Sequence, residues 1–242
     1  MTSWEFPATD PIDLQIRVPA GDVTVRAAAT QTARVTLGGA ERTIDATRVE
    51  FDQGALSVIT PERPGLGRTA DLDVTVEVPE GSSCRVHTAS ADVRCTGVLS
   101  SLDVHTASGD VSAERVSGLA RATTASGDVH IGEAGEVDAN SSSGDVTIGQ
   151  VSGPVLVSTA SGDVRIDAAS GSRTEAKSAS GDINIAVTPG IGVYLDLSTL
   201  SGTVSSELDP AEGSGAADMT LSCRTLSGDV QVIRAAAQPS TR

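Results

Sequence analysis

Large side chains and positive charge are both scarce in this chain. Its 242 residues include four aromatics, Trp4, Phe6, Phe51 and Tyr194, and one lysine, Lys177. A core filled by rings is excluded, and so are long helices rich in Leu, Glu and Lys. Lys and Arg number 17 against 32 Asp and Glu, a formal net charge of −15. Gripping a phosphate backbone needs a basic face, and holding bases needs stacking rings, so nucleic acid is excluded as a partner. No window holds the roughly 18 apolar residues that span a bilayer. The three cysteines, Cys84, Cys95 and Cys223, form neither a disulfide framework nor a CxxC pair, and read as small apolar residues in strands. The opening residues, Met1-Thr2-Ser3-Trp4-Glu5-Phe6-Pro7, lack a cationic stretch followed by an apolar one, and the last residues carry no lipidation motif. A cytoplasmic location is the expectation.

What is present is repetition. The unit Thr/Ser-Ala-Ser-Gly-Asp-Val, with Ala91 for Gly in the first copy, Ser142 for Ala in the fourth and Ile183 for Val in the sixth, occurs around Asp92, Asp110, Asp128, Asp145, Asp163 and Asp182, in steps of 18, 18, 17, 18 and 19 residues. Two looser copies follow, Thr199-Leu200-Ser201-Gly202-Thr203-Val204 and Thr225-Leu226-Ser227-Gly228-Asp229-Val230, at steps of 21 and 26. Apolar residues alternate on both sides of each copy: Leu102/Val104, Val155/Val157, Leu195/Leu197 and Leu221/Cys223 before it, and Val129/Ile131, Val146/Ile148, Val164/Ile166, Ile183/Ile185 and Val230/Val232 after it. Period-2 alternation over four to six residues makes a strand with one buried face. Two or three such strands in each repeat make one coil of a β-solenoid, in which equivalent residues stack at the strand spacing. The expectation is an all-β chain, a single-chain β-solenoid or β-helix of about 18-residue coils with a less regular N-terminal β segment. A narrow interior of stacked Val, Ile, Ala and Leu accounts for the missing aromatics. The Gly of each unit is expected to take a positive φ at the corner, and the Asp to accept backbone N–H groups there, as in an Asx-turn.

Residues 1–80 are strand-rich but irregular. Ile12–Val18, Arg34–Leu37, Leu56–Ile59 and Leu72–Val78 read as strands, and Pro19-Ala20-Gly21-Asp22-Val23-Thr24-Val25 echoes the corner. The expected organisation is initial coils and a cap over 1–80, repeats over 81–234 with a surface loop inserted at 207–218, and a tail over 235–242.

The Ser-Gly-Asp-Val units at 17–19-residue steps, preceded by Pro-Ala-Gly-Asp-Val-Thr-Val, resemble the bacterial “putative adhesin” family of unknown function with β-strand repeats, also called toast-rack-like. The resemblance covers nearly the whole chain. It implies a β-solenoid, an adhesion label, and envelope-stress or regulatory partners for some members, and it carries over no catalytic residues. Arg-rich, Lys-poor usage points to a high-GC bacterium such as an actinobacterium.

Three columns are candidate sites. The carboxylates Asp92, Asp110, Asp128, Asp145, Asp163, Asp182 and Asp229 stack if the coils are in register. Either backbone N–H groups hold them or cations sit between them, and Asp110, Asp128, Asp145, Asp163 and Asp182 are the calcium candidates. A single Asp in each repeat is thin for an ion that wants six to eight oxygens, so corner capping is favoured. The Thr/Ser column (Thr88, Thr106, Thr124, Ser141, Thr159, Ser178, Thr199, Thr225) forms a hydroxyl ladder if it faces outward. It satisfies the backbone if it faces inward, and that is favoured. His87 and His105 are neighbours in successive coils, with His130 in another column and no third ligand beside them. No nucleophile elbow, GxGxxG or Walker pattern occurs. The expected function is a scaffold or protein-interaction module without catalytic residues, cofactor or metal, working through a protein partner or self-association. A cation- or glycan-binding, adhesin-like module at the cell surface is the alternative.

Overall fold

The computed structural model describes residues 1–61, 71–208 and 217–236. Short alternating segments dominate, because Val, Ile and Thr crowd a helix but fit a pleated surface buried on one side. The N-terminal part holds β1 (Thr2–Pro7), β2 (Asp13–Val18), β3 (Asp22–Ala28), β4 (Thr32–Gly39), a short helix α1 (Glu41–Ala46), β5 (Arg48–Asp52), β6 (Ala55–Ile59) and β7 (Leu72–Pro79). Then follow β8 (Ser83–Thr88), β9 (Asp92–Leu99), β10 (Ser101–His105), β11 (Val111–Thr123), β12 (Val129–Ser141), β13 (Val146–Val151) and β14 (Val155–Thr159). The last are β15 (Val164–Ala169), β16 (Arg173–Ser180), β17 (Ile183–Val187), β18 (Val193–Ser201), β19 (Val204–Ser206), β20 (Met219–Ser227) and β21 (Val230–Arg234). The chain is an all-β solenoid.

Each coil, or rung, contributes one strand to each of two faces. On face A, parallel pairing runs β6, β2, β8, β10, the end of β11, the end of β12, β14, β16, β20, β18. On face B it runs β7, β3, β9, the start of β11, the start of β12, β13, β15, β17, β21, β19. The described residues thus form ten rungs, and nine spacings of about 4.8 Å make a stack about 43 Å long.

Rung order departs from sequence order at both ends. Segment 13–28 is the second rung, lying beneath the later segment 55–79, and segment 219–234 is the ninth, between rung eight (173–187) and the terminal rung (193–206). The chain overshoots by one rung and then returns, so strands near each end of the sequence are paired along both edges. The two long steps at the end of the repeat series are the signature of this exchange. The stretch 207–218, of which 209–216 lies outside the described residues, links rung ten back to rung nine. At the outward jump, the Arg234 guanidinium donates to the carbonyls of Thr188 (3.4 Å) and Ile191 (3.0 Å). Of the segment 235–242, the amide of Ala235 donates to the Val187 carbonyl at 2.9 Å, and 237–242 lies outside the described residues.

The interior is a set of aliphatic ladders. Every inward pair named above is buried except Leu195/Leu197, which belongs to the terminal rung and is only half-buried. The three aromatics of the N-terminal part lie at one end of these ladders. Phe6 of β1 and Phe51 of β5 stack with ring centroids 5.4 Å apart, and with Trp4 they pack against the core. The strands carrying them belong to antiparallel pairs: β5 on β6, β4 on β7, and β1 on β4. The β5–β6 turn is Gln53-Gly54, with φ of 48° and 80°, as a two-residue hairpin requires.

The repeated glycine has a different role from the one expected. Positive φ occurs at Gly202 and Gly228 in the two looser units, but not at Gly109, Gly127, Gly144, Gly162 or Gly181. There the constraint is axial. A Cβ on Gly109 would overlap the carbonyl oxygen of Ala91, and one on Gly127, Gly144, Gly162 or Gly181 would overlap the carbonyl of the preceding unit's glycine. From Gly109 onward, rungs one strand spacing apart leave no room for a methyl at that corner, whereas the first regular unit carries Ala91 there, fully buried.

Candidate functional site

Each Ser-Gly-Asp corner is held from inside and outside. On the inside, the hydroxyl oxygens of Thr106, Thr124, Ser141 and Thr159 accept the amide N–H of the glycine three residues on, at 2.8–3.0 Å. These side chains are buried, as are Ser178 and Thr225. Ser178 and Thr225 donate instead to the Gly162 and Gly181 carbonyls of the rung before, both at 3.2 Å. An inward hydroxyl column presents no ladder to ice or sugar.

On the outside stands the carboxylate column. The amide of Asp110 donates to Oδ1 of Asp92 at 2.9 Å. The same bond joins Asp128 to Asp110, Asp145 to Asp128, Asp163 to Asp145, Asp182 to Asp163 and Asp229 to Asp182, at 2.8–2.9 Å. The acceptor therefore bridges rungs, where the sequence suggested an Asx-turn within one corner. A charge-assisted bond to a backbone N–H offsets the repulsion of stacked carboxylates. The column ends at Thr203 in the terminal rung, whose amide and hydroxyl both donate to Asp229 Oδ1, at 2.7 and 2.8 Å. Those two bonds hold the Asp229 carboxyl below its usual range. Thr203 stands where the other units have Asp, and among the described residues no further rung donates an amide to it. The five calcium candidates thus share one column, each spending one oxygen on the next rung. No trio of His, Cys, Asp or Glu side chains among the described residues converges as a metal would require.

The two faces differ in surface chemistry. The central column of face A reads Ser57, Gln15, Arg85, Asp103, Arg121, Asp138, Leu156, Glu175, Ser222, Asp196. Its charges neutralise one another across rungs, with Arg85–Asp103 at 3.4 Å and Arg121–Asp138 at 3.0 Å. Glu175 pairs with Lys177 and Arg173 of its own strand, which lower its carboxyl to about 2. Beside this column His87 and His105 stack, 5.0 Å apart and within 3° of parallel. Partial burial, His105 and Arg17 push the His87 imidazole below its ordinary value. The central column of face B reads Thr75, Thr24, Arg94, Ser112, His130, Thr147, Arg165, Asn184, Gln231, Ser205. It is flat, polar and mostly short-chained, with no carboxylate.

Sequence reasoning misses one feature. The β5–β6 hairpin walls an open groove of about 420 Å³ against face A, lined by Asp13, Glu50, Asp52, Asp103, Arg85 and their neighbours on β2, β6, β8 and β10. The Val49/Phe51 alternation before Gln53-Gly54 is the available signal. All three thiols are buried; burial and Asp196 push Cys223 up to about 12, and the hydrogen bond to Cys95, with burial, raises Cys84 well above its usual value.

The family model described as Toastrack DUF4097 matches residues 12–240. A solved “putative lipid binding protein” from Parabacteroides distasonis aligns with a TM-score of 0.56 at 16% identity, covering 96% of each chain. A “putative adhesin” from Bacteroides fragilis aligns at 0.50 and 11% identity, also covering 96% of each. At such identities the likeness carries the fold alone. No curated protein matches the chain.

Proposed function

The chain belongs to the Toastrack DUF4097 family, and we propose that it is a non-catalytic scaffold whose face B docks a protein partner. The observation that carries this is the central column of face B, ten rungs of mostly short side chains without a carboxylate, on a molecule of net charge −15. On face B, Arg115–Glu133 crosses rungs at 2.7 Å beside the column, and Arg165 pairs with Asp167 of its own strand at 2.8 Å. No ion pair joins one column residue to the next, which leaves the column free to pair with another surface. Face A has already spent its charges on itself. A cytoplasmic location belongs to the same reading. Three unbridged cysteines support it, since oxidising compartments favour pairing of thiols.

The test is affinity capture from the native cell with the double variant Thr147→Glu/Asn184→Glu. Both positions point outward, so the fold should persist and the partner should be lost. Retention of every captured protein would remove the face B reading. The alternative, a cation- or glycan-binding adhesin-like module at the cell surface, draws support from the outer oxygens of the Asp column, which accept no hydrogen bond from the described residues. It predicts recovery of the protein in the envelope fraction and a melt raised by millimolar calcium.

A further inference from the structure

The terminal rung is built to be covered. Among the described residues, strands β18 and β19 are paired on their inner side only, by β20 and β21. Their outer edges carry N–H and C=O groups that no described strand pairs, and the apolar ladder below them (Val193, Leu195, Leu197) is half-buried. Natural edges are normally blunted by Lys, Pro, a bulge or a covering element. Segment 193–206 has no Lys and no Pro, and Asp196, its only charge, is tied to Arg224 at 2.7 Å. Of the described residues that follow, Leu208 packs against the core and none pairs with the outer edges. Tyr194, Leu200 and Val204 are exposed here, with Leu226 on the rung beneath. The corner position that is Ala or Ser in the regular units is Leu in just two, Leu226 and Leu200. In stacking order those are the last two rungs, so the substitution tracks the bare end.

We propose that this end binds the same end of a second copy, forming a two-fold dimer by antiparallel pairing of β18 with β18. The proposal rests on the reading of the chain as an interaction module and names one of its partners. The strand is self-complementary. A two-fold axis at Leu197 pairs all nine residues and keeps inward residues opposite inward ones, with Val193 facing Ser201 and Leu195 facing Thr199. On the outer side it sets Tyr194 against Leu200, and Asp196 against Ser198. Moving the axis one residue, to Asp196, would oppose two carboxylates, which is destabilising. A nearly uncharged end is also where two chains of −15 meet at least cost. At the opposite end antiparallel strands close the first rung, so stacking head to tail is blocked and the assembly stops at two.

The experiment is sedimentation equilibrium of the full chain across concentration, in chelator. The expected mass is twice the 24.4 kDa of one chain. Ser198→Asp puts a carboxylate opposite Asp196 at two places in the dimer and should weaken it roughly tenfold. Ser198→Arg puts a cation there and should keep it. A mixture of Tyr194→Cys and Leu200→Cys chains should oxidise to a heterodimeric crosslink that neither forms alone. A monomer at every concentration, growth beyond two copies, or identical behaviour of the two Ser198 variants would overturn the proposal. None of these outcomes would touch partner capture through face B, so the two failures are distinguishable.

Discussion

The two ends of the solenoid face one problem and solve it differently. At the N-terminal end, antiparallel β4 and β5 lie along the first rung, β1 extends β4, and Trp4, Phe6 and Phe51 pack over the ladder ends. At the C-terminal end no described strand pairs with the outer edges of the last rung, and Leu195 and Leu197 are half-buried. A repeat that stacks on itself has no internal reason to stop, so an end must be plugged or used. Each end also exchanges the order of two rungs, which replaces a fraying last strand with one paired on both sides. The difference between the ends is therefore one of surface, not of anchoring.

The largest expected effect contrasts the middle with the open end. Ile166, 1% exposed in rung seven, should tolerate Asp worst: an unpaired buried charge costs several kcal/mol. Leu197→Asp in rung ten should cost far less, because water already reaches that side chain. Equal losses in urea unfolding would mean the terminal rung is as closed as the middle, and the comparison would break. A smaller effect separates the plugs. Phe6→Ala should cost about 1–3 kcal/mol through lost stacking and burial. Tyr194→Ala, at a position 64% exposed, should leave the dilute chain unchanged. Comparable midpoints for the two variants would remove the distinction between plug and bare rung.

The smallest effect is in pH. His87 has a lowered folded value, so its contribution is complete above its unfolded value near 6.5 and is lost as pH falls through the folded one. Stability should therefore decline modestly below pH 6.5 through rungs three and four, near the N-terminal end, and His87→Phe should flatten that slope. The contribution of the Asp229 carboxyl, also lowered, is lost only below about 3.8, at the other end. A decline of unchanged steepness in the His87 variant would place the acid sensitivity elsewhere.

Much of the fold is legible because the repeat is local. Period-2 alternation around each corner marks Val146/Ile148 or Ile183/Ile185 as inward without knowledge of their neighbours. The corner Asp and Thr stand out in the same way, but the partners of their hydrogen bonds do not. Asp128 bonds to Asp145, and that pairing exists only once the rungs stack. The glycine reads as a residue of special backbone conformation, whereas its constraint is the carbonyl of the rung before. Helix α1 is invisible to periodicity because so short a segment completes fewer than two turns.

Strand positions, inward faces, the narrow aliphatic core and the repeat length are properties of short stretches, and the amino-acid sequence alone determined them. Which rung lies on which, why the corner stays bare from Gly109 onward, and which end is left open depend on pairings between residues up to 71 positions apart. A strand's edge carries the same N–H and C=O groups whatever its side chains, so its partner is chosen by the rest of the stack. Only the tertiary structure decided that.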